Sequence, residues 1–217
     1  MLVSMWMTRE VITIGPDTLL HEAAQVLAEN RIRRLPVVRS FANEEVVVGI
    51  LSKTDVLHAY PGDVNPSRPG PFSGMDQLPA VAEVMSSPVV SVEPTTPLEE
   101  AALLMRTRKI GALVVLAEGE LVGMITESDI FDAFARLLGG GENPVRITFD
   151  DLPDDLGGFV EAVAGAARST QMRLASLISF EWKGKQRAVA RAVGANPEEF
   201  LAAIRRIGFR ILSVKRG

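Results

Sequence analysis

The chain has 217 residues, 47% of them hydrophobic and 23% charged, which is enough apolar material for two or three compact cores. It contains no cysteine and two histidines, which excludes disulfides, thiolate catalysis and metal sites built from cysteine or several histidines. The net charge of −4 divides into an acidic stretch over residues 1–144 and a basic stretch over residues 145–217. Since no apolar run reaches the ~18–20 residues of a membrane span, we expect a cytoplasmic protein without membrane contact.

Residues 1–60 are predicted to form a first small unit with the order β-α-β-β-α. An extended stretch at residues 11–14 precedes a helix over residues 18–31, whose apolar side chains recur at helical spacing. Two strands joined by a turn follow, and the second ends in GILSKTD, residues 49–55, where another helix begins. Residues 61–79 are dense in proline and glycine, which indicates an irregular linker.

The next unit, residues 80–138, repeats the first. VVGILSKTDVL at residues 47–57 corresponds to LVGMITESDIF at residues 121–131, and the similarity extends over about fifty residues. A strand is expected at residues 89–92 and a helix over residues 96–109, which opens with Thr-Pro-Leu-Glu, so that the threonine hydroxyl caps the helix. Two further strands and a helix complete the repeat, so two copies of one supersecondary unit can cover each other's sheet face.

A glycine-rich linker at residues 139–144 leads to a third unit, residues 145–217, with a different order of elements. The order β-α-β-β-α-β is predicted, which is the split-βαβ or ferredoxin-like arrangement. The strands are expected at residues 145–149, 174–182, 187–193 and 209–215, and the helices over residues 153–168 and from an Asn196 cap to Gly208. The whole chain is therefore assigned to the α+β class.

Both repeats place a hydroxyl and an aspartate three residues apart, in Ser52-x-x-Asp55 and in Thr126-x-x-Asp129. One interpretation is a helix cap, in which the hydroxyl accepts a hydrogen bond from the backbone N–H three residues on. The carboxylate in turn accepts a hydrogen bond from the backbone N–H of the residue that carries the hydroxyl. The other adds a nucleotide, because an ionised carboxylate accepts hydrogen bonds from ribose hydroxyls while the helix N-terminus favours phosphate. Both stay open, because a capping oxygen keeps a second lone pair.

The repeated pattern resembles a tandem pair of CBS domains, the Bateman module, over roughly residues 5–137. The likeness is carried by the two G-h-h-S/T-x-x-D segments (h apolar), by RRLPVV at residues 33–38 and by GALVVL at residues 111–116. The resemblance implies a non-catalytic regulatory protein that binds AMP, ADP, ATP or S-adenosylmethionine between the two units and acts on an oligomer or a protein partner. It also implies a homodimer, because such pairs commonly stack as two-fold disks.

The resemblance assigns binding roles to residues of both repeats. The ribose hydroxyls are assigned to Asp55 and Asp129, and the sugar or phosphate to Ser52, Thr54, Thr126 and Ser128. The adenine edge is assigned to the backbone of Thr13 and Ser91, the walls around the base to Leu35, Pro36, Leu113 and Val114, and the phosphate to Arg34.

The two sites are not expected to be equal. The first repeat has Arg33-Arg34 where the second has Gly111-Ala112. Because a guanidinium fork suits phosphate, we expect a charged nucleotide to prefer the site around Asp55. The site around the second aspartate is expected to take adenosine-like ligands or to stay empty.

The third unit resembles an ACT domain, a regulatory fold that often binds amino acids at dimer interfaces. Amino-acid-binding members often carry D-x-P-G after the first strand, whereas here Asp151-Leu152-Pro153 is followed by Asp154, which adds negative charge where a carboxylate would lie. We therefore expect this unit to dimerise rather than to bind an amino acid. Two CBS domains followed by an ACT-like domain is the order of the acetoin-utilisation B-type proteins, although no residue points to acetoin itself.

Two other classes of function are disfavoured. The sequence lacks the groups that ATP turnover would require, because His21 and His58 lie apart and no glycine-rich phosphate loop is present. The acidic run at residues 150–155 is interpreted as a solvated loop and not as a cation site. The basic third unit has neither the clustered positive charge nor the RNP-type aromatic motif that nucleic-acid binding would require. No catalytic or metal-binding residue is therefore assigned.

Overall fold

A computed structural model describes residues 1–41, 44–59, 78–138 and 144–216. The chain divides into two compact units, Met1–Phe131 and Asp132–Gly217. The predicted linkers at residues 61–79 and 139–144 lie almost wholly outside the described residues.

The two repeats contain most of the helices and strands. Their elements are a short 3-10 helix (Val3–Met5), α1 (Leu20–Glu29), β1 (Arg34–Phe41), β2 (Glu44–Ser52), α2 (Lys53–Ala59), α3 (Val81–Val84), β3 (Ser91–Val92), α4 (Leu98–Arg108), β4 (Ala112–Ala117), β5 (Glu120–Thr126) and α5 (Glu127–Leu137). The remaining elements are β6 (Val145–Leu152), α6 (Gly157–Ser169), β7 (Arg173–Trp182), β8 (Lys185–Val193), α7 (Pro197–Ile207) and β9 (Ile211–Arg216).

The first repeat packs α1 and α2 with the antiparallel pair β1–β2. Leu35 pairs with Leu51, and the register shifts after Val37. The core of this repeat is apolar and contains Leu20, Ala23, Leu27, Leu35, Val37, Leu51 and Val56. The strand predicted at residues 11–14 does not form, because only Ile14 bridges to β1, in parallel with Val37.

The second repeat has the same plan, with the sheet order β3-β4-β5. Its register shift falls after Val115, the position equivalent to the shift in the first repeat. The predicted cap by Thr96 is wrong. Because Pro97 is still extended, α4 begins only at Leu98, and the Thr96 hydroxyl instead accepts a hydrogen bond from the Glu93 N–H at 3.1 Å.

Each repeat sends its N-terminal segment to the sheet of the other repeat. Thr8 pairs with Met124 of β5 through two backbone hydrogen bonds of 2.9 Å. Ser86 pairs with Ile50 of β2 in the same way, at 2.9 and 3.1 Å. The two exchanges are equivalent in the repeated sequence, so the repeats form one unit with internal two-fold symmetry.

The glycine that precedes each motif is required by this exchange. A Cβ at Gly49 would collide with the side chain of Met85, and a Cβ at Gly123 would lie 2.6 Å from the Sδ of Met7. The two methionines occupy equivalent positions in the repeats. Glycine therefore allows each exchanged segment to lie directly against the strand that ends in the motif.

The second compact unit contains a four-stranded sheet in the order β7-β8-β6-β9, with every neighbouring pair antiparallel. The predicted β-α-β-β-α-β order is confirmed, whereas the ACT assignment stays a prediction. The core joins one sheet face to α6 and α7 and includes Ile147, Phe149, Phe159, Val163, Ala190, Phe200 and Ile204. Phe159 packs edge-on against Phe149 and Phe209, with centroid distances of 5.0 and 5.1 Å.

One of the two predicted helix starts in this unit needs correction. The helix predicted from residue 153 begins at Gly157, whose N–H donates to Asp155 Oδ1 at 2.9 Å. The predicted start of α7 after Asn196 is confirmed, although the Asn196 side chain makes no capping hydrogen bond and its Nδ2 donates to the Thr170 carbonyl at 3.1 Å. The helix ends as predicted at Gly208, whose φ of 90° is left-handed.

Candidate functional site

Both repeated motifs form reciprocal helix caps. In the first, the Ser52 N–H donates to Asp55 Oδ2 at 2.8 Å, and the Asp55 N–H donates to Ser52 Oγ at 3.2 Å. In the second, the Thr126 N–H donates to Asp129 Oδ2 at 2.8 Å, and the Asp129 N–H donates to Thr126 Oγ1 at 3.4 Å. The three-residue spacing is therefore used by the protein itself to begin α2 and α5.

The caps leave part of each motif available to a ligand. In the hydrogen bonds between described residues, Asp55 and Asp129 both accept through Oδ2, so Oδ1 keeps its lone pairs. The two hydroxyls differ. Thr126 Oγ1 donates to Asp129 Oδ2 at 2.7 Å, whereas the Ser52 hydroxyl donates to no described residue and can donate to a ligand.

Each motif opens into a pocket built from both repeats. The first-motif pocket has a volume of about 220 Å³ and combines Ser52 and Asp55 with residues of the segment 86–90. The second-motif pocket has a volume of about 310 Å³ and combines Thr126 and Ser128 with residues of the segment 8–12. Because the N-terminal segments are exchanged, the two pockets are equivalent under the internal symmetry.

Arg34 and Gly111 line both pockets and form a shared wall between them. A Cβ at Gly111 would collide with the Arg34 guanidinium and would lie 2.9 Å from Glu127 Oε2. The guanidinium therefore lies directly over the glycine backbone, close to a carboxylate. A cation in this position is within reach of an anion in either pocket.

Only part of the predicted cation placement is confirmed, because Arg34 lines the pocket around Asp55 but Arg33 does not. Arg31, Arg33 and Arg34 line the second-motif pocket, whereas the cations of the first-motif pocket are Arg34 and Lys109. The helix-to-strand turn of one repeat completes the pocket that holds the motif of the other. Arg33 therefore does not support a preference of a charged nucleotide for the site around Asp55.

Several other residues assigned from the sequence lie apart from the pocket walls. Leu35, Pro36, Leu113 and Val114 are buried, and neither they nor Thr13, Ser91 and Thr54 line either pocket. Asp129 is placed beside the second-motif pocket through its hydrogen bonds to Thr126.

The apolar parts of the pockets come from residues that the sequence reasoning did not assign. Val11 and Ile12 line the second-motif pocket, and Val89 and Val90 line its equivalent. These pairs lie in the extended segments that the sequence does repeat. The periodicity could have found them, but not the pocket to which each belongs.

Nothing in the described part of the chain indicates a metal centre, since it holds no cluster of three or more His, Asp or Glu side chains suited to a cation. In the acidic run at residues 150–155, Asp150 is neutralised by Arg187 Nε at 2.7 Å and Arg210 Nε at 3.6 Å. The hydrogen bond from Arg187 lowers the pKa of Asp150 below its ordinary value of 3.8. Among the helices of the described residues, none is long and apolar enough to cross a membrane.

Comparison with known proteins adds family information to this geometry. The family model of the CBS domain matches residues 3–62 and 81–136. A CBS domain-containing protein of Dictyostelium discoideum is 35% identical over 138 residues, which are 63% of this chain and 93% of that protein. A 33.4 kDa protein from a ribosomal RNA operon of Thermofilum pendens is 34% identical over 138 residues, or 61% of this chain, but the chain spans only 43% of its length.

Solved structures show the same fold for the repeats. A candidate acetoin utilization protein from Vibrio cholerae is 33% identical with a TM-score of 0.52, over 64% of this chain and 93% of that chain. The CBS domain pair of protein MJ0100, solved with 5'-methylthioadenosine and S-adenosyl-L-methionine, is 23% identical with a TM-score of 0.52, over 63% of this chain and 97% of that chain. At this lower identity the second likeness establishes the fold alone.

Proposed function

The chain belongs to the CBS-domain family, and on that premise we propose that it is a non-catalytic regulatory protein that binds an adenosine-containing ligand between its two repeats. The observation that carries the proposal is the exchange of N-terminal segments, which creates two equivalent pockets, each next to a hydroxyl–aspartate pair. The chain also matches an inosine-5'-monophosphate dehydrogenase of Korarchaeum cryptofilum at 31% identity, but over only 22% of that enzyme. The shared region is thus a minor part of the enzyme.

The ribose is assigned to the free carboxylate oxygen of Asp129. Oδ2 holds the cap at 2.8 Å from the Thr126 N–H, so Oδ1 can accept a hydrogen bond from a ribose hydroxyl without breaking it. The cap also fixes the direction of the carboxylate before a ligand arrives. Little side-chain freedom is therefore lost on binding, which favours affinity.

The second-motif pocket is the better site for a ligand that carries phosphate. Its volume of about 310 Å³ reaches the range of ~300–1,000 Å³ that small-molecule sites occupy, whereas the first-motif pocket falls below it. Arg31, Arg33 and Arg34 can donate to phosphate oxygens. Glu10 and Glu127 in the same wall limit the net positive charge, which favours a monophosphate such as AMP over ATP.

Calorimetric titration of AMP, ADP, ATP, adenosine and S-adenosylmethionine tests the proposal on the full chain. Asp129→Asn is the informative variant, because asparagine keeps an oxygen that accepts the capping hydrogen bonds. AMP should bind wild type, and its affinity should fall at least about ten-fold in Asp129→Asn. Asp17→Asn, at an exposed position, is the matched control and should bind like wild type.

The opposite result is equally clear. If no adenosine compound binds wild type, or if Asp129→Asn binds AMP as wild type does, the aspartate is only a helix cap. The function would then have to be sought in the second compact unit or in a protein partner.

A bound nucleotide would act by changing how the two repeats pack, since a ligand shifts an equilibrium only through its different affinity for two states. We propose that this change is passed to a homodimer or to a partner protein, in acetoin or related carbon metabolism. Sedimentation of the full chain with and without AMP should report a dimer whose association constant depends on the nucleotide. A monomer in both conditions would contradict the dimer part of the proposal.

A further inference from the structure

The sheet of the second compact unit has a face turned away from α6 and α7, and this face carries arginines at its centre. Ile147 of β6 and Ala190 of β8 point into the core between the sheet and the helices. Because side chains alternate along a strand, their neighbours Arg146 and Arg191 lie on the opposite face. Both arginines are half-buried rather than extended into solvent.

The arginines belong to a row of hydrogen-bond donors that crosses all four strands. Arg146 pairs directly with Arg191, and the register continues to Lys215 on β9 and to Ser176 on β7. Since neighbouring strands are ~4.8 Å apart, the backbone positions of the three cations span ~10 Å. Like charges directly opposite each other destabilise a sheet, so the row reduces stability unless an anion compensates it.

Among the described residues, no carboxylate provides that anion. The Nε atoms of Arg146 and Arg191 are buried without a hydrogen-bond partner. Within the described residues, no ion pair includes Arg146, Arg191 or Lys215, although other cations of the same unit are paired with carboxylates: Lys185, Arg187, Arg210 and Arg216. Burial, together with the charge of Arg146, lowers the pKa of Arg191, as expected for a cation without compensation.

The next row on the same face is partly apolar. Ile178 pairs with Val189, and Val189 pairs with Thr148, whose hydroxyl continues the row. Two residues along the strands from the cations there is thus an apolar strip, in which Val189 is buried and Ile178 is partly exposed. A ligand that binds the cations with one end and contacts the apolar row with the other has a charged end and a short apolar body.

We propose that this sheet face binds a small organic oxyanion, a carboxylate or a phosphate ester, whose charged end lies between Arg146 and Arg191 and whose apolar part lies against Ile178. A guanidinium fork matches both kinds of oxyanion. A second copy of the same face is a poor occupant, because it would bring cations against cations. The site belongs to a different compact unit from the nucleotide pockets.

Titration of the full chain with isovalerate, acetate and inorganic phosphate, at constant ionic strength, tests this site. Binding is measured by calorimetry and by the shift in melting temperature. Arg191→Met keeps the length of the side chain without its charge, and Arg205→Met, at an exposed position on α7, is the matched control. Isovalerate should bind wild type and Arg205→Met more tightly than acetate does, and Arg191→Met should lose about 10- to 100-fold in affinity.

The anion that binds most tightly identifies the source of the charge. If phosphate binds more tightly than isovalerate, the natural ligand is phosphorylated. If isovalerate binds more tightly than phosphate, the natural ligand is a carboxylic acid. Without any anion, Arg191→Met should melt at a higher temperature than wild type, because the like-charge pair is removed. Equal anion responses in wild type, Arg191→Met and Arg205→Met would overturn the proposal, as would no response in wild type.

Discussion

Replacing Gly111 with alanine tests whether Arg34 is the phosphate ligand shared by the two pockets. The new Cβ would collide with the guanidinium nitrogen of Arg34 and would lie 3.1 Å from its Cζ and 2.9 Å from Glu127 Oε2. Ordinary contacts begin at 3.4 Å, so the guanidinium has to leave its position over the glycine. Gly111 is not among the glycines with positive φ, so the substitution itself adds no backbone strain.

The expected effect follows from the hydrogen bonds that Arg34 would lose. A hydrogen bond to a charged group contributes about 1.5–3 kcal/mol, so AMP should bind Gly111→Ala roughly 10- to 150-fold more weakly than wild type. Adenosine, which has no phosphate, should bind both proteins equally. Calorimetric titration measures both ligands. Gly165→Ala is the matched control, because a Cβ there meets nothing within 4 Å.

Two results would refute the reasoning. If Gly111→Ala binds AMP as wild type does, Arg34 does not hold the phosphate. If AMP and adenosine lose affinity equally, the alanine has disturbed the pocket as a whole and not the cation.

The shared position of Arg34 also predicts that the pockets are coupled. One guanidinium cannot serve anions on both sides at full strength, so AMP in one pocket should weaken AMP binding in the other. Adenosine in either pocket should have no such effect. A two-site titration of wild type measures the coupling, and Arg34→Gln should remove it; coupling of equal size in that variant would show that it arises elsewhere.

Three further outcomes are expected. Gly123→Ala should lower the free energy of unfolding by about 1–3 kcal/mol in urea, because its Cβ would lie 2.6 Å from Met7 Sδ, and Met7→Ala in the same chain should restore part of the loss. Arg187→Met should make the free energy of unfolding depend less on pH in acid. The lowered pKa of Asp150 stabilises the wild-type fold at pH values above the ordinary pKa of 3.8, and this stability is lost as the pH falls through the lowered pKa. Urea unfolding of the variant should therefore depend less on pH below about 5. Gly165→Ala should raise the free energy of unfolding by about 0.5–1 kcal/mol, since alanine favours the interior of α6 and meets open space, and an unchanged or lower value would contradict this.

The features that depend on nearby residues could be predicted from the sequence. Both caps form, because Ser52 and Asp55 are three residues apart and any helix start at that point brings them together. The order of elements also follows from local periodicity. The cap predicted at Thr96 failed for a local reason too, since the following proline stays extended and delays the helix.

The composition of each pocket could not be predicted in this way, because it depends on contacts between distant parts of the chain. Thr8 reaches Met124, and Ser86 reaches Ile50, by an exchange that leaves no mark in either segment alone. Without knowledge of the exchange, the sequence pattern places Arg33 at the site of its own repeat. The spacing of the repeats shows which residues are equivalent, but not which of two equivalent partners each one meets.

Because of the exchange, we expect the difference in side chains between the two repeats to affect ligand binding. Arg33 and Arg34 correspond to Gly111 and Ala112, and the wall shared by the two pockets contains Arg34 from one repeat and Gly111 from the other. With arginines in both repeats, guanidinium groups would approach each other near the internal two-fold axis, where like charges repel. With glycine at position 111, a single guanidinium occupies the wall and has space to lie flat. The duplicated unit thereby has one cation that both pockets share, whereas Arg31 and Arg33 line only the second-motif pocket, so we expect that pocket to bind phosphate more tightly.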